Sequence, residues 1–234
     1  MKNFFIVLAM KLLNIILKIC GKNGGNFLGK IAFDWNPNIF KYFKIDCPVI
    51  AVTATNGKTM TNNAIGYVLK TANKKVISNT EGNNMETGIL STLLKNCTLT
   101  GKIKADYLVF EVDEGYIPVV FKDFRLDTLV ILDFFRDQLD RNGEVETLIL
   151  KINKFLKTYT GNLVLNNDDP NVARLGKANK EVRGKEKVLK LDGGRKEPYH
   201  GSHPHAEQAR AGYGGISPAK RIFGKTAGRN ECPG

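Results

Sequence analysis

The sequence predicts an α/β protein with a parallel sheet that is covered by helices on both faces. Three observations predict this class. Short runs rich in β-branched and aromatic residues recur along the chain, helical patterns separate those runs, and a Gly-Lys-Thr tripeptide follows the first run. The chain has 234 residues, which is enough for one sizeable core or two small ones.

Strands and helices alternate from Pro48 to about residue 170. The predicted strands are PVIAVTAT (48–55), KVISNT (75–80), DYLVFEV (106–112), DTLVILDFF (127–135) and GNLVLNNDDP (161–170), the last of which ends in a turn. The predicted helices cover Thr61 to Lys74, METGILSTLLKN (85–96) and GEVETLILKINKFLKTY (143–159). In the first of these helices one face carries Ala64, Val68, Leu69 and Ala72.

The N-terminal stretch MKNFFIVLAMKLLNIILKIC predicts an amphipathic helix. Its unbroken apolar run, Phe4 to Met10, is too short to span a bilayer. Asn3, Lys11, Asn14 and Lys18 recur at helical spacing and form one polar stripe. We favour packing of this helix on the protein, with contact to a membrane surface and a cleaved signal as the alternatives.

The formal charge of +12 is high, and a lysine-rich solvated surface is its favoured explanation. Anionic ligands or a membrane surface are the alternatives. Nucleic acid is not favoured as a partner, because aromatic residues are not interleaved with the basic ones. The cysteines at 20, 47, 97 and 232 form no CxxC pair, which indicates thiols of a reducing compartment rather than disulfides or a complete zinc site.

The C-terminal stretch from residue 184 to 234 differs in composition from the rest. Asparagine is frequent up to residue 183 and occurs once after it, while all three histidines lie in this stretch among many glycines. Either a flexible basic tail or out-of-frame translation from somewhere after about residue 175 explains the change, and we favour the second. The predicted organisation is a helix and lead-in segment over 1–47, an α/β domain over 48–176 and a low-order or out-of-frame tail over 177–234.

The TNGKT segment at 55–59 has the context of a phosphate-binding loop, since it follows a strand and precedes a helix. In such a loop Gly57 would let the backbone approach phosphate oxygens, Lys58 would reach the terminal phosphates and the Thr59 hydroxyl would ligate Mg²⁺. Val52 stands where the strict P-loop pattern has its first glycine. The alternative is a tight strand-to-helix turn with an exposed lysine.

This loop, together with SNTEGNNMETGI (78–89), VFEVDEGYIP (109–118), DFFRDQLDRNGE (133–144) and LNNDDP (165–170), resembles the Mur ligase superfamily and, within it, MurT-like chains. The resemblance runs from about residue 20 to about residue 176. It implies a Mur-ligase central domain that uses ATP and Mg²⁺ to amidate the D-glutamate α-carboxylate of lipid II through an acyl phosphate. It also implies a GatD-type glutaminase partner that supplies ammonia, and a cytoplasmic location, at the inner face of the membrane if the helix binds there.

The resemblance also implies roles for individual residues. The catalytic residues are Lys58 and Glu111. The nucleotide-binding residues are Thr55, Asn56, Gly57, Lys58, Thr59, Thr61 and Asn166. The Mg²⁺ ligands are Thr59 and Glu111, with Gln138 as a weak third at a position where most Mur ligases carry histidine. Glu81 is a weaker site candidate, and Asn166 and Asp169 suit simple turn chemistry equally well.

Several features depart from the family pattern. Ala54 replaces a usual glycine, Met60 replaces a threonine on what we expect to be the buried side of its helix, and Asp133 replaces an asparagine. Asp113 and Glu114 are weaker candidates for the site than Glu111 and are expected to be solvated.

We also expect an incomplete chain, inactive alone, because the four-cysteine zinc-ribbon-like insertion and the C-terminal domain of the family do not follow LNNDDP. Zinc, expected in the full-length family, therefore has no complete site. The alternatives are another Mur-fold amide ligase, such as folylpolyglutamate synthase, and a non-catalytic binding module.

Overall fold

The structure, a computed structural model, describes residues 2–79, 83–134, 145–183 and 188–191. Within them, one sheet contains β1 (Val49–Thr53), β2 (Val76–Ser78), β3 (Tyr107–Glu111), β4 (Thr128–Ile131), β5 (Asn162–Asn166) and β6 (Val188–Leu191). The strand order is β2-β3-β1-β4-β5-β6, and every neighbouring pair is parallel. The predicted fold class is therefore confirmed.

The described helices are α1 (Lys2–Ile19), α2 (Phe27–Trp35), α3 (Lys58–Thr71), α4 (Glu86–Asn96), α5 (Ile117–Val120), α6 (Val145–Leu156) and α7 (Pro170–Arg183), with a 3₁₀ turn at Ile39–Tyr42. The crossover from β1 to β2 runs one way across the sheet, and the later crossovers run the other way. Right-handed crossovers therefore place α3 on one face and α4 to α7 on the other. Contacts of α4 with α5, α5 with α6 and α6 with α7 join these helices into one layer.

The main core lies between the sheet and this helical layer. Leu108, Phe110 and Leu129 from the central strands are buried there, as are Ile89 and Leu93 of α4. Parallel strands covered on both faces bury consecutive residues, which explains why β1, β3 and β4 have nearly continuous apolar sequences.

The lead-in segment shares this core. Helix α2, which the sequence analysis did not predict, packs against α4. A Cβ atom on Gly29 of α2 would lie 1.8 Å from the carbonyl oxygen of Thr87, so only glycine permits this approach. The Gly29 amide donates to Ser91 Oγ at 2.7 Å across the same contact. Helix α1 packs on α2 and α4 as favoured from the sequence.

Helix α3 differs from the prediction at its start and in its buried face. It begins at Lys58 rather than Thr61, because Gly57 is its N-cap and Lys58 and Thr59 already belong to its first turn. Its buried residues are Lys58, Asn62 and Gly66, whereas Val68, from the face given in the prediction, is exposed. A lysine and an asparagine are thus buried in this helix, next to the loop that joins it to β1.

The α/β alternation continues beyond the predicted domain end at residue 176. Helix α7 runs to Arg183, and β6 pairs with β5 from Leu163↔Val188 to Asn166↔Leu191. The domain boundaries remain predictions, and residues 192–234 lie outside the described part of the chain. None of the described helices is long and apolar enough to cross a membrane.

Candidate functional site

The segment after β1 forms a turn that requires glycine. Gly57 has φ +77° and caps the N-terminus of α3, and its cap position supplies no side-chain hydrogen bond to that helix end. A Cβ atom at Gly57 would meet only Leu132 Cδ1, at 3.8 Å, so the constraint is the left-handed backbone rather than space. The N-terminus of α3 thus offers N–H groups and a positive dipole end, which suits an anion.

Lys58 points inward from the first turn of α3. Its side chain is buried, and its Nζ donates to the carbonyl oxygen of Ala54 and to Glu114 Oε2, the latter at 3.2 Å. The alternative of a turn with an exposed lysine is therefore wrong. The ammonium is fixed beside the loop that joins β1 to α3, within reach of a group bound at the helix end.

Asp113 and Glu114, expected to be solvated, are both buried just after β3. The expectation was wrong because the chain after β3 turns under residues 83–84: the Asp113 amide donates to the carbonyl oxygen of Asn84 at 2.8 Å. Burial raises the pKa of the Glu114 carboxyl, and the neighbouring Lys58 partly opposes that rise.

Glu111 occupies the last position of β3, in register with Val52 of β1. The Asn79 side chain fixes its backbone: Asn79 Oδ1 accepts from the Glu111 amide at 2.8 Å, and Nδ2 donates to the Glu111 carbonyl at 2.7 Å. The carboxylate is buried, yet no described residue hydrogen-bonds or ion-pairs with it. It is therefore available as a ligand. No sequence pattern singled out Asn79, although it lies within SNTEGNNMETGI (78–89).

Asp133 supports the phosphate-loop segment from the end of β4. Its Oδ1 accepts from the Asn56 amide at 2.8 Å, and its carbonyl oxygen accepts from the Thr55 amide at 3.0 Å. Burial raises the pKa of its carboxyl, and the negative charge of Asp169 raises it further. Asp133, where the family usually has asparagine, thus keeps a hydrogen-bond acceptor and adds a negative charge beside the loop.

The turn after β5 is held by its own side chains. Asn166 Oδ1 accepts from the Asp168 amide at 3.0 Å, while Asp169 Oδ1 accepts from the Asn171 amide at 2.7 Å at the start of α7. Asp169 Oδ2 also accepts from the Phe134 amide at 3.0 Å, which ties this turn to the end of β4. These bonds match the turn chemistry, and nucleotide binding by Asn166 remains a prediction.

The other predicted residues are distributed as follows. Thr59 is exposed at the start of α3, and Thr61 is half-buried one residue after Met60. Met60 is 79% exposed, so its expected position on the buried side was wrong. Gln138 and Glu81 lie outside the described residues.

The oxygen donors at the carboxyl ends of β1 and β3 fit Mg²⁺. In the described part of the chain no group of three or more histidine, cysteine, aspartate or glutamate side chains is placed to hold a metal ion. A nucleotide-bound Mg²⁺ needs no such group, because phosphate and water supply most of its ligands. The Thr59 hydroxyl and the buried Glu111 carboxylate are suitable donors.

The site lies where α/β proteins commonly bind ligands. The connections after the neighbouring strands β1 and β4 run in opposite directions, and α/β proteins commonly bind ligands at the carboxyl ends of two such strands. Here the hydrogen bonds from the Thr55 and Asn56 amides to Asp133 join the two connections. The site therefore combines a helix N-terminus, a buried lysine and a buried carboxylate at one edge of the sheet.

Comparison with known proteins gives matches in sequence. Residues 52–199 match the family model of the Mur ligase middle domain. The MurT subunit of lipid II isoglutaminyl synthase (glutamine-hydrolyzing) from Staphylococcus aureus strain COL is 36% identical over 177 residues, or 75% of this chain and 39% of that protein. The Streptococcus pneumoniae MurT subunit is 32% identical over 70% of this chain and 36% of its own length. The chain thus spans well under half of these curated relatives.

Solved structures share the fold. MurF from Acinetobacter baumannii superposes with a TM-score of 0.53 at 18% identity, covering 69% of this chain and 34% of that one. MurF ligase from Thermotoga maritima, solved in complex with ADP, has a TM-score of 0.52 at 20% identity, covering 69% of this chain and 36% of that one. At these identities the likeness concerns the fold alone.

Proposed function

The chain belongs to the Mur ligase family, and from this premise we propose that it carries the ATP-binding part of a MurT-type amide-forming subunit. The observation that carries the proposal is the buried Lys58 at the start of α3, together with the buried Glu111 carboxylate at the end of β3, for which the described residues supply no hydrogen-bond or ion-pair partner. The similarity to the two MurT subunits supports lipid II as the substrate.

The proposed reaction activates a carboxylate and then replaces phosphate with nitrogen. An oxygen of the D-glutamate α-carboxylate attacks the γ-phosphorus of ATP, the bond from that phosphorus to ADP breaks, and an acyl phosphate forms. Ammonia attacks the acyl carbon, the carbon–oxygen bond to phosphate breaks, and the nitrogen loses a proton. The products are ADP, phosphate and D-isoglutamine.

This chain's residues would bind and orient the phosphates. Thr55, Asn56 and Gly57 shape the loop, and the α3 N–H groups receive phosphate oxygens. Lys58 then exchanges its contact with Glu114 for phosphate, which places a positive charge where negative charge gathers during transfer. Thr59 and Glu111 would hold Mg²⁺, which when bound neutralises charge on the phosphates.

The proposal includes a partner subunit. The relatives are named as subunits of a glutamine-hydrolyzing enzyme, so we propose a GatD-type glutaminase as the ammonia source for this chain also. We also propose that the chain works in the cytoplasm, at the inner face of the membrane if α1 binds there.

ATP binding by the chain, measured by calorimetric titration in Mg²⁺, tests the site. Lys58→Ala should weaken binding about tenfold or more, because a charged hydrogen bond to phosphate contributes about 1.5–3 kcal/mol. Lys70→Ala, in the last turn of the same helix, is the matched control and should bind like the parent. Equal binding by parent and Lys58→Ala would show that the phosphate site is elsewhere.

Amide formation is tested separately. The chain, a GatD-type glutaminase, glutamine, ATP and lipid II are incubated, and mass spectrometry looks for conversion of the carboxylic acid to its amide. Amide formation that depends on ATP and Lys58 would establish the whole reaction for this chain. ATP binding without amide formation would show that the chain supplies only the nucleotide-binding part of the subunit, which is the result we expect of an incomplete chain.

A further inference from the structure

Helix α1 presents an uncovered apolar face. Its buried residues Ile6, Val7 and Met10 lie against the protein. Five other large apolar residues of the helix are 53–80% exposed: Phe5, Leu12, Ile15, Ile16 and Ile19. With about 100° of rotation per residue, these five positions cover an arc of about 100° on the outer side of the helix. The helix therefore packs on the protein and still keeps an apolar face outward.

An exposed tryptophan extends this face. Trp35, at the end of α2, is 52% exposed and lines an open groove of about 640 Å³ together with Phe5 and Leu12 of α1. Lys2 lies at the same groove. Tryptophan beside aliphatic side chains is typical of surfaces that enter the headgroup region of a bilayer.

The charges around this face have one sign. Residues 2–33 contain five lysines (Lys2, Lys11, Lys18, Lys22 and Lys30) and no aspartate or glutamate. On the helix, Lys11 and Lys18 lie beyond one edge of the exposed apolar arc and Lys2 beyond the other. The first acidic residue, Asp34, pairs with Lys30 at 3.7 Å. Positive charge therefore borders the apolar face on both sides.

From this arrangement we propose that α1 and Trp35 form a docking face for an anionic lipid bilayer, with α1 lying in the plane of the surface. Apolar side chains enter the headgroup boundary, and the flanking lysines meet lipid phosphates. We favour a bilayer over a protein partner because the apolar face is bordered by positive charge alone, which matches a surface of anionic lipid phosphates. The face does not depend on the nucleotide site, so this inference and the proposed function can fail separately.

Vesicle flotation of the full chain tests the proposal. The chain should float with vesicles of equal phosphatidylglycerol and phosphatidylcholine, and much less with phosphatidylcholine alone. The emission of Trp35, the single tryptophan of the chain, should shift to shorter wavelength on binding. The double variant Leu12→Glu/Ile16→Glu should reduce vesicle binding about tenfold or more. Lys18→Gln should reduce it about fivefold, on the anionic vesicles only.

The matched control is Tyr67→Glu/Val68→Glu, which adds the same charges to two exposed large hydrophobic residues of α3 and should bind like the parent. The proposal is overturned if the chain does not float with anionic vesicles, or if both double variants bind as the parent does. It is also overturned if the chain forms oligomers that Leu12→Glu/Ile16→Glu dissociates while neither protein floats, because the face would then bind protein.

Discussion

Lys58 Nζ lies 3.2 Å from Glu114 Oε2, and the two side chains are 7% and 1% exposed. The pair joins the first turn of α3 to the segment after β3, across 56 positions of sequence. A buried ion pair gains little over an apolar contact, but loss of one partner leaves an uncompensated charge. The pair therefore holds the lysine beside the loop while constraining both segments.

Removing either side chain of this pair should lower the free energy of unfolding. Removing both should lower it by less than the sum of the two single effects. Glu114→Ala is expected to lower the free energy of unfolding by about 3 kcal/mol, because the Lys58 ammonium stays buried without its counter-charge. Lys58→Met should cost a similar amount. In the double variant, urea unfolding should reveal a coupling energy of about 2 kcal/mol. Strictly additive effects would contradict the ion pair.

Gly57 and Gly66 should respond in opposite ways to alanine. Gly57→Ala should destabilise the protein by about 1–2 kcal/mol, because φ +77° is unfavourable for a residue with a Cβ. Gly66 lies inside α3, and a Cβ there would meet nothing within 4 Å. Gly66→Ala should therefore stabilise by about 0.5–1 kcal/mol. Thermal unfolding of the two variants beside the parent measures the difference, and equal shifts would argue against the left-handed turn.

Asp133 should make stability depend on pH. Burial and Asp169 raise the pKa of its carboxyl in the folded chain, so the folded state binds the proton more tightly than the unfolded one. The stability that the protonated Asp133 carboxyl contributes is fully present below the ordinary aspartate pKa of about 3.9, and it is lost as pH rises through the raised pKa. Asp133→Asn should therefore gain stability relative to the parent between about pH 4 and neutral pH. Urea unfolding across this range measures the gain, and a parallel pH profile for parent and variant would show that Asp133 does not titrate in this way.

The same variant, Asp133→Asn, should bind ATP more tightly. The substitution keeps an acceptor for the Asn56 amide and removes a negative charge beside the loop. At a water-like dielectric, two charges a few ångströms apart repel by about 1 kcal/mol, so we expect affinity to rise about fivefold. Calorimetric titration with ATP measures the change. Asp168→Asn, in the turn after β5, is a charge control for the titration. Unchanged or weaker binding by Asp133→Asn would show that this charge does not act on the nucleotide.

The strand–loop–helix unit from β1 to α3 and the class of the sheet could be read from the sequence, because both depend on local features. Apolar periodicity and the left-handed preference of glycine act within a few residues. Helix α2 was missed because its start lies in a glycine-rich segment, and its formation depends on the close contact of Gly29 with α4.

Lys58 and Thr59 were site candidates from the strand–loop–helix context, whereas Glu111 was one through the resemblance to the Mur ligase superfamily. Only the tertiary structure decided that Glu114 is buried against Lys58, that Asn79 fixes Glu111, and that Asp133 holds the loop. It also decided that α1 keeps an apolar face outward. Burial and ion pairing are set by segments that are distant in the chain and adjacent in the fold, and no local pattern contains that information.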